Sequence, residues 1–322
     1  MHPLASQRGM AVISALLIAA VVAVIAAGMI ARQTRITRAV ESENQRLQGA
    51  WAARGVLEWS RQRLWEERLR EPSTRLDQAW AQPLRNLSLG EGTAFEGAIL
   101  DEQGRFNLRN LVRDEQLDPL EMATFERLCA LLGVSQEAAA RIARRVIDAY
   151  AYRLYPPRSE QANSSGFDSG RLTSPEAQNR AFEAKRPMLR RLEDLADLPG
   201  VPADALQRLA PFVTLLPMPT WVNGNTASAE VIAARVPGLG LERARALIAE
   251  RDRGQWFINS GDVLNRLRMP DMTTELVRIG ITSEWFLVRG LARAGERRSP
   301  VEALLFRAEE SQPRIVWSRV GA

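Results

Sequence analysis

The chain has 322 residues, 46% hydrophobic and 25% charged, a composition that excludes a wholly disordered polymer and leaves room for two or three domains. Its net charge of +5 is too mild an excess to demand nucleic acid or anionic lipid as a partner. One cysteine, Cys129, and one histidine, His2, exclude an intrachain disulfide, cysteine-based metal spacing and histidine-dependent nucleophilic triads.

Residues 10–31 carry no charge, which is long enough for a helix to cross a bilayer core of about 30 Å. Ala26, Ala27 and Gly28 would offer a signal peptidase small residues, so a removed secretory signal is one reading. Against it, the helical pattern continues past the apolar run with no proline until Pro72, and Ile36, Val40, Leu47 and Trp51 recur at helical spacing among polar residues. The spacing predicts one rod from Met10 to about Trp65, roughly 80 Å long, with Gly49 and Gly55 as places where it bends. Arg32, Arg35 and Arg38 follow the run while only Arg8 and the amino terminus precede it, and this bias alone would hold the body in the cytoplasm.

The opening MHPLASQRG followed by MAVISALLIAAVVAVIAAG resembles the leader of type IV pilin-like proteins: short, hydrophilic and ending in Gly9 ahead of the apolar run. The resemblance implies cleavage after Gly9 by a prepilin peptidase, methylation of Met10, retention of the helix and a body in the periplasm. Most such proteins carry glutamate at the fifth mature position, which here is Ser14. Its absence resembles the K-type minor pseudopilin of type II secretion. A carboxylate in a lipid-like bundle is costly unless a neighbour's charge meets it, and a subunit at a filament tip has no earlier subunit to meet. Helix association would use Ile13, Leu16, Leu17, Val21 and Val24 with intervening small residues.

Downstream, Phe95 to Leu100 and Arg105 to Leu108 read as a strand pair about the turn 101–104. From about Asp114 to Arg278 the pattern is helical, rich in Ala, Leu and Arg. Residues 285–291, 301–306 and 314–317 read as three further strands, so two early and three late strands are expected in one sheet. The expected fold is α/β and pilin-like: a long N-terminal helix packed on a small antiparallel sheet, with a large all-α insertion of helix-hairpin-helix or SAM-like type. The corresponding divisions are 1–9 for the leader, 10–72 for the helix, 73–112 for the first part of the α/β unit, 113–280 for the insertion and 281–322 for the closing strands.

Pro237, Gly238 and Gly240 form the turn of the helix-hairpin-helix resemblance. Arg235, Arg243, Arg245, Arg251 and Arg253 surround it, so a membrane-anchored DNA receptor of competence type is the alternative function. Interleaved Glu242, Glu250 and Asp252 dilute that field, which favours helix packing over DNA contact. The K-type resemblance raises calcium, for which Asp148, Glu160 and Asp168 are the available carboxylates, too few for six to eight oxygens. The loop 156–175 reads as a flexible or partner-facing excursion. The pairs Glu66-Glu67, Glu193-Asp194 and Glu309-Glu310 read as surface charge rather than acid–base pairs, and no catalytic set is evident. The resemblance implies these partners: the I and J minor pseudopilins, the major pseudopilin, the prepilin peptidase, the inner-membrane secretion platform and the lipid bilayer. It implies a single-pass protein of the bacterial inner membrane that moves to the pseudopilus tip and supports export of folded proteins.

Overall fold

The computed structural model describes residues 7–90, 92–154, 180–295 and 297–321. It opens with one helix, α1 (Gln7–Arg70), about 96 Å long at 1.5 Å per residue. Then come β1 (Leu84–Gly90), β2 (Thr93–Asp101) and the two-residue strands β3 (Phe106–Asn107), β4 (Val112–Arg113) and β5 (Gln116–Leu117). Helices α2 (Pro119–Leu131) and α3 (Gln136–Ile147) lead to β6 (Tyr152–Leu154) and β7 (Arg180–Phe182). The chain continues through α4 (Ala203–Leu209), β8 (Val213–Thr214), β9 (Val222–Asn223), α5 (Ala229–Arg235) and α6 (Leu241–Asp252). After α7 (Ser260–Leu267), α8 (Thr274–Val277) and β10 (Ile279–Gly280), it closes with β11 (Trp285–Ala294), β12 (Arg297–Phe306) and β13 (Arg314–Val320).

The body of α1 holds to the molecule by one stripe. Ala52, Ala53, Val56, Leu57, Ser60 and Leu64 recur at three- and four-residue steps, which places them on one side of a helix, and all are buried. They meet Phe95, Ile99, Phe286, Val288, Ala303 and Leu305 from a five-stranded antiparallel sheet ordered β1-β2-β11-β12-β13. Small residues on the stripe let helix and sheet approach. A Cβ added at Gly49 would stand 3.0 Å from Ser299 Oγ, and one at Gly55 3.8 Å from Leu89. The helix runs unbroken through both glycines.

At the centre of the sheet Gly97 of β2 pairs with Gly290 of β11. A Cβ at Gly290 would lie 2.2 Å from Glu96 O and 2.5 Å from Phe95 Cζ, so the Phe95 ring occupies the space two side chains would need. This aromatic cover compensates for the weak strand-forming tendency of glycine.

Two expectations are corrected here. The residues 105–108 do not form a hairpin with 95–100: β2 pairs instead with β1 and β11, while Phe106–Asn107 pairs in parallel with Val213–Thr214. The fifth strand of the sheet is therefore β1, whose sequence LRNLSLG lacks a sustained apolar alternation because it is an edge strand with a mostly exposed pattern. The insertion is not all-α either. Between its helices it holds a four-stranded sheet ordered β4-β5-β6-β7 and the parallel pairs β3-β8 and β9-β10, short ladders that tie segments far apart in sequence. Its helices begin on capping residues: the Asp118 carboxylate accepts from Leu120 N and Glu121 N, and Ser135 Oγ from Ala138 N. Cys129 is buried in this second core with Phe106, Phe125 and Ile142.

Candidate functional site: the bare stalk, the seam and the hairpin

No described residue in the N-terminal third of α1 is buried. Val12 through Ile30 are exposed throughout, with Ile13 and Leu16 each 65% exposed and Val24 72%, in a stretch long and apolar enough to cross a membrane. Gly9 and Met10 lie in its first turn and Ser14 one turn on. Leu17 and Val21 are equally uncovered. The next segment is uncovered too. Ile36, Val40, Leu47 and Trp51 are exposed, and at about 100° per residue their mean direction is roughly 150° around the helix from the buried stripe. Thus the residues that carried the amphipathic pattern do not hold α1 to its own sheet; they form a second apolar face on its back. Glu67, read as surface charge, instead lies buried on the packing face, 3.6 Å from Arg70.

Where the insertion leaves and rejoins the sheet, a polar seam locks the two. Asp101, at the end of β2, accepts from Ser283 Oγ at 2.6 Å, Thr226 Oγ1 at 2.5 Å and Asn223 Nδ2 at 3.1 Å through Oδ2, and from Gln103 N through Oδ1. Burial pushes its carboxyl above the ordinary range, opposed by these hydrogen bonds. Arg307, just past β12, donates to Thr74 Oγ1, Ser283 O and Leu64 O and lies over the Phe286 ring. Burial pulls its guanidinium down to about 10. Glu102 accepts from Thr214 Oγ1 at 2.5 Å and from Arg105 at 3.1 Å; burial raises it as well. Helix α1, both halves of the sheet and the insertion are all joined here by buried and half-buried polar groups. A sequence shows Asp101 only as a turn residue; nothing local marks it as the acceptor for three distant donors.

The turn between α5 and α6 has the backbone expected of it, with Gly238 at φ +78, a region closed to most side chains. Val236 and Leu239 on either side are buried, and Met269 Cε comes 3.6 Å from the place of a Gly238 Cβ. Of the basic residues around Pro237, Gly238 and Gly240, Arg235 and Arg251 are buried in the molecule while Arg243, Arg245 and Arg253 are exposed. Arg235, 1% exposed, is bidentate to Glu121 at 2.5 and 2.8 Å and donates to Val277 O at 2.7 Å. Arg251 donates to Gly224 O and Ala227 O, Arg243 to Leu267 O, Arg253 to Ala249 O, and Arg245 pairs with Glu242 at 2.6 Å. The buried Arg235 and Arg251 guanidiniums hold segments together, and the field of the three exposed arginines is diluted by exposed Glu242, Glu250 and Asp252 among them.

Of the three carboxylates considered for calcium, Glu160 and Asp168 lie outside the described residues, as does the loop 156–175. Asp148 sits at the C-terminal end of α3, with Arg144 Nε 3.3 Å from its Oδ1, and its backbone carbonyl accepts from Lys185 N and Arg186 N. This one described carboxylate falls short of the six to eight oxygens of a calcium cage. No group of three metal-ligating side chains occurs among the described residues.

A sequence profile for type II secretion system protein K matches residues 104–218, and a second for the same protein matches 222–282. Type II secretion system protein K of Pseudomonas aeruginosa is 30% identical across 98% of this chain and 93% of its own length. The chain belongs to the type II secretion system protein K family. Other protein K relatives, from Pectobacterium carotovorum and Klebsiella pneumoniae, are 28% and 30% identical over 90% and 78% of this chain, and over 89% and 77% of their own. The fold is that of a chain in the crystal structure of the GspK-GspI-GspJ complex from the type 2 secretion system of enterotoxigenic Escherichia coli. That match has a TM-score of 0.66 at 21% identity and covers 88% of this chain and 99% of that one. Protein K members are structural components of secretion, and the DNA-receptor alternative has no support among these relatives. The apolar N-terminal helix fits membrane anchoring of a family member.

Proposed function

We propose that this chain, a minor pseudopilin of type II secretion, stands at the tip of the pseudopilus and starts or caps its assembly with other minor pseudopilins, so that folded proteins are exported across the outer membrane. The observation that carries the reading is the bare helix: among the described residues of α1 none before Gly49 is buried, and its uncharged run, residues 10–31, is stable only in lipid or against other helices. The GspK homologue was solved with GspI and GspJ, and the corresponding I and J pseudopilins are the neighbours proposed for this chain. The major pseudopilin, the secretion platform and the prepilin peptidase follow from the same role. The peptidase would cut after Gly9 and leave Met10 as the methylated terminus.

In this reading Ile13, Leu16, Leu17, Val21 and Val24 pack against sister helices, Ser14 spares the bundle a buried carboxylate, and the body lies in the periplasm on a single inner-membrane span. The division into leader 1–9, helix 10–72, split α/β unit 73–112 and 281–322, and insertion 113–280 supports a tip position, because a bulky insertion beyond the sheet would obstruct a subunit added above it. The buried Arg235 and Arg251 support a bracing role for the Pro237–Gly240 turn. None of this asks for catalysis or for a metal.

Single-cysteine cross-linking tests the arrangement. The native Cys129 is buried, and burial pushes its thiol up to about 12, so it will not compete. Val24→Cys should form a disulfide with a cysteine at the matching depth in the I-type helix. Cross-links only to the major pseudopilin, spread along the filament, would remove the chain from the tip.

A further inference from the structure

The two edges of the five-stranded sheet are finished differently. β1 pairs irregularly with β2, shifting register between Leu84 and Leu87 and again between Ser88 and Gly90, with Asn86 at φ +52; such irregularity blunts an edge against further pairing. β13 is paired only with β12, and its one register shift lies near its start, opposite Leu304 and Leu305. Six of its seven residues are exposed, including Ile315, Val316 and Val320. It contains neither proline nor lysine, the usual guards of a free edge.

On the sheet face turned away from α1, Trp317 and Arg319 of β13 stand opposite Leu304 and Glu302 of β12. They form one wall of a cleft whose other wall belongs to the insertion. Two adjoining cavities of 380 and 640 Å³ share Arg190, Arg191, Leu215, Leu216, Leu304 and Trp317. The floor is apolar, since Leu216 and Leu304 pack with Trp285 beneath it. The rim is basic. Asp194 is held by Arg191 and Glu302 by Arg289, which leaves the Arg190 guanidinium without a partner among the described residues and Arg319 at 3.8 Å from Glu302.

We propose that the free edge of β13 and this cleft together form a docking site for an extended acidic strand of a partner protein. Main-chain hydrogen bonds to β13 supply affinity, and alternate side chains supply selectivity: an apolar one seats in the 640 Å³ cavity, and carboxylates face Arg190 and Arg319. A second copy of this chain is a poor occupant, because β13 has Arg314 and Arg319 and no acidic residue to set against them.

The test uses the full chain in detergent micelles with two labelled peptides, an alternating Glu/Val heptapeptide with a central Phe and its Lys/Val counterpart. Fluorescence anisotropy reads affinity and hydrogen–deuterium exchange reads location. The acidic peptide should slow exchange of the 314–320 amides, and Arg319→Glu and Arg190→Glu should each weaken it by about tenfold. The proposal is overturned by unchanged exchange at 314–320, by equal binding of the lysine peptide, or by protection that grows with protein concentration alone. None of these outcomes depends on where the chain sits in the filament.

Discussion

Glu121 is the residue whose replacement should cost the inserted part most. It is 1% exposed and meets the bidentate Arg235 at 2.5 and 2.8 Å and Arg278 at 2.8 Å, so it neutralises charge that water cannot reach. Glu121→Gln keeps the shape but leaves Arg235 buried and unbalanced, with only Val277 O and one amide oxygen to receive its protons. Breaking a buried pair by removing one partner costs about 3–5 kcal/mol. For a unit of this size each kcal/mol moves the midpoint by about 2–4 °C, so a fall of roughly 6–20 °C is expected. The assay is thermal unfolding of the full chain in micelles, followed by circular dichroism and by exchange at the α5–α6 turn. The double replacement Glu121→Leu with Arg235→Met should recover most of the loss, because exchanging a buried pair for apolar side chains of similar volume is often neutral. A single variant within about 1 kcal/mol of wild type, or a double variant as unstable as the sum of its singles, would refute the reasoning.

Gly290→Val should prevent β2 and β11 from pairing, since its Cβ has only 2.2 Å to Glu96 O, and the variant should be recovered mainly as proteolysed or aggregated chain. Leu64→Ala, on the buried stripe, should cost about 2–5 kcal/mol, whereas Val40→Ala on the exposed back of α1 should leave the isolated chain's stability within about 0.5 kcal/mol while weakening cross-linking to partner helices. Glu102 should give a pH signature: burial raises its carboxyl above the ordinary 4.5, so its contribution favours the folded state at acid pH and is lost as pH rises through the raised value. Stability of Glu102→Gln relative to wild type, by urea unfolding, should therefore improve as pH rises above the ordinary carboxylate range, and a flat or falling difference would contradict it. Asp148→Ala should show the same midpoint in calcium and in chelator, because Arg144 already faces that carboxylate.

The sequence announces α1 because an uncharged run and the lack of proline before Pro72 speak through local rules. Strands β11 and β12 are equally plain, being long and central to the sheet. What escapes is what depends on distant partners. β1 looks like a loop because an edge strand needs little apolar surface, and the two-residue ladder between Phe106 and Val213 carries no periodicity at all. The Glu121–Arg235 pair spans 114 positions, and Asp101 gathers Asn223, Thr226 and Ser283 from across the insertion. At the hairpin the turn chemistry of Gly238 is readable, yet the burial of Arg235 and Arg251 is not, since a basic residue bound internally and one aimed at phosphate are spelled alike. The back face of α1 is legible as a spacing but not as a direction: Ile36, Val40, Leu47 and Trp51 form a stripe, and only the fold shows it turned away from the sheet.

Everything in the assembly account requires that the apolar helix be kept and presented to neighbouring helices. Intact-mass and N-terminal mass spectrometry of the chain purified from secreting cells tests this directly. The account predicts a mature protein beginning at N-methylated Met10 with residues 10–31 retained. A chain beginning near Met29 would mean that the helix is discarded as a secretory signal, and the stalk-based assembly would be wrong.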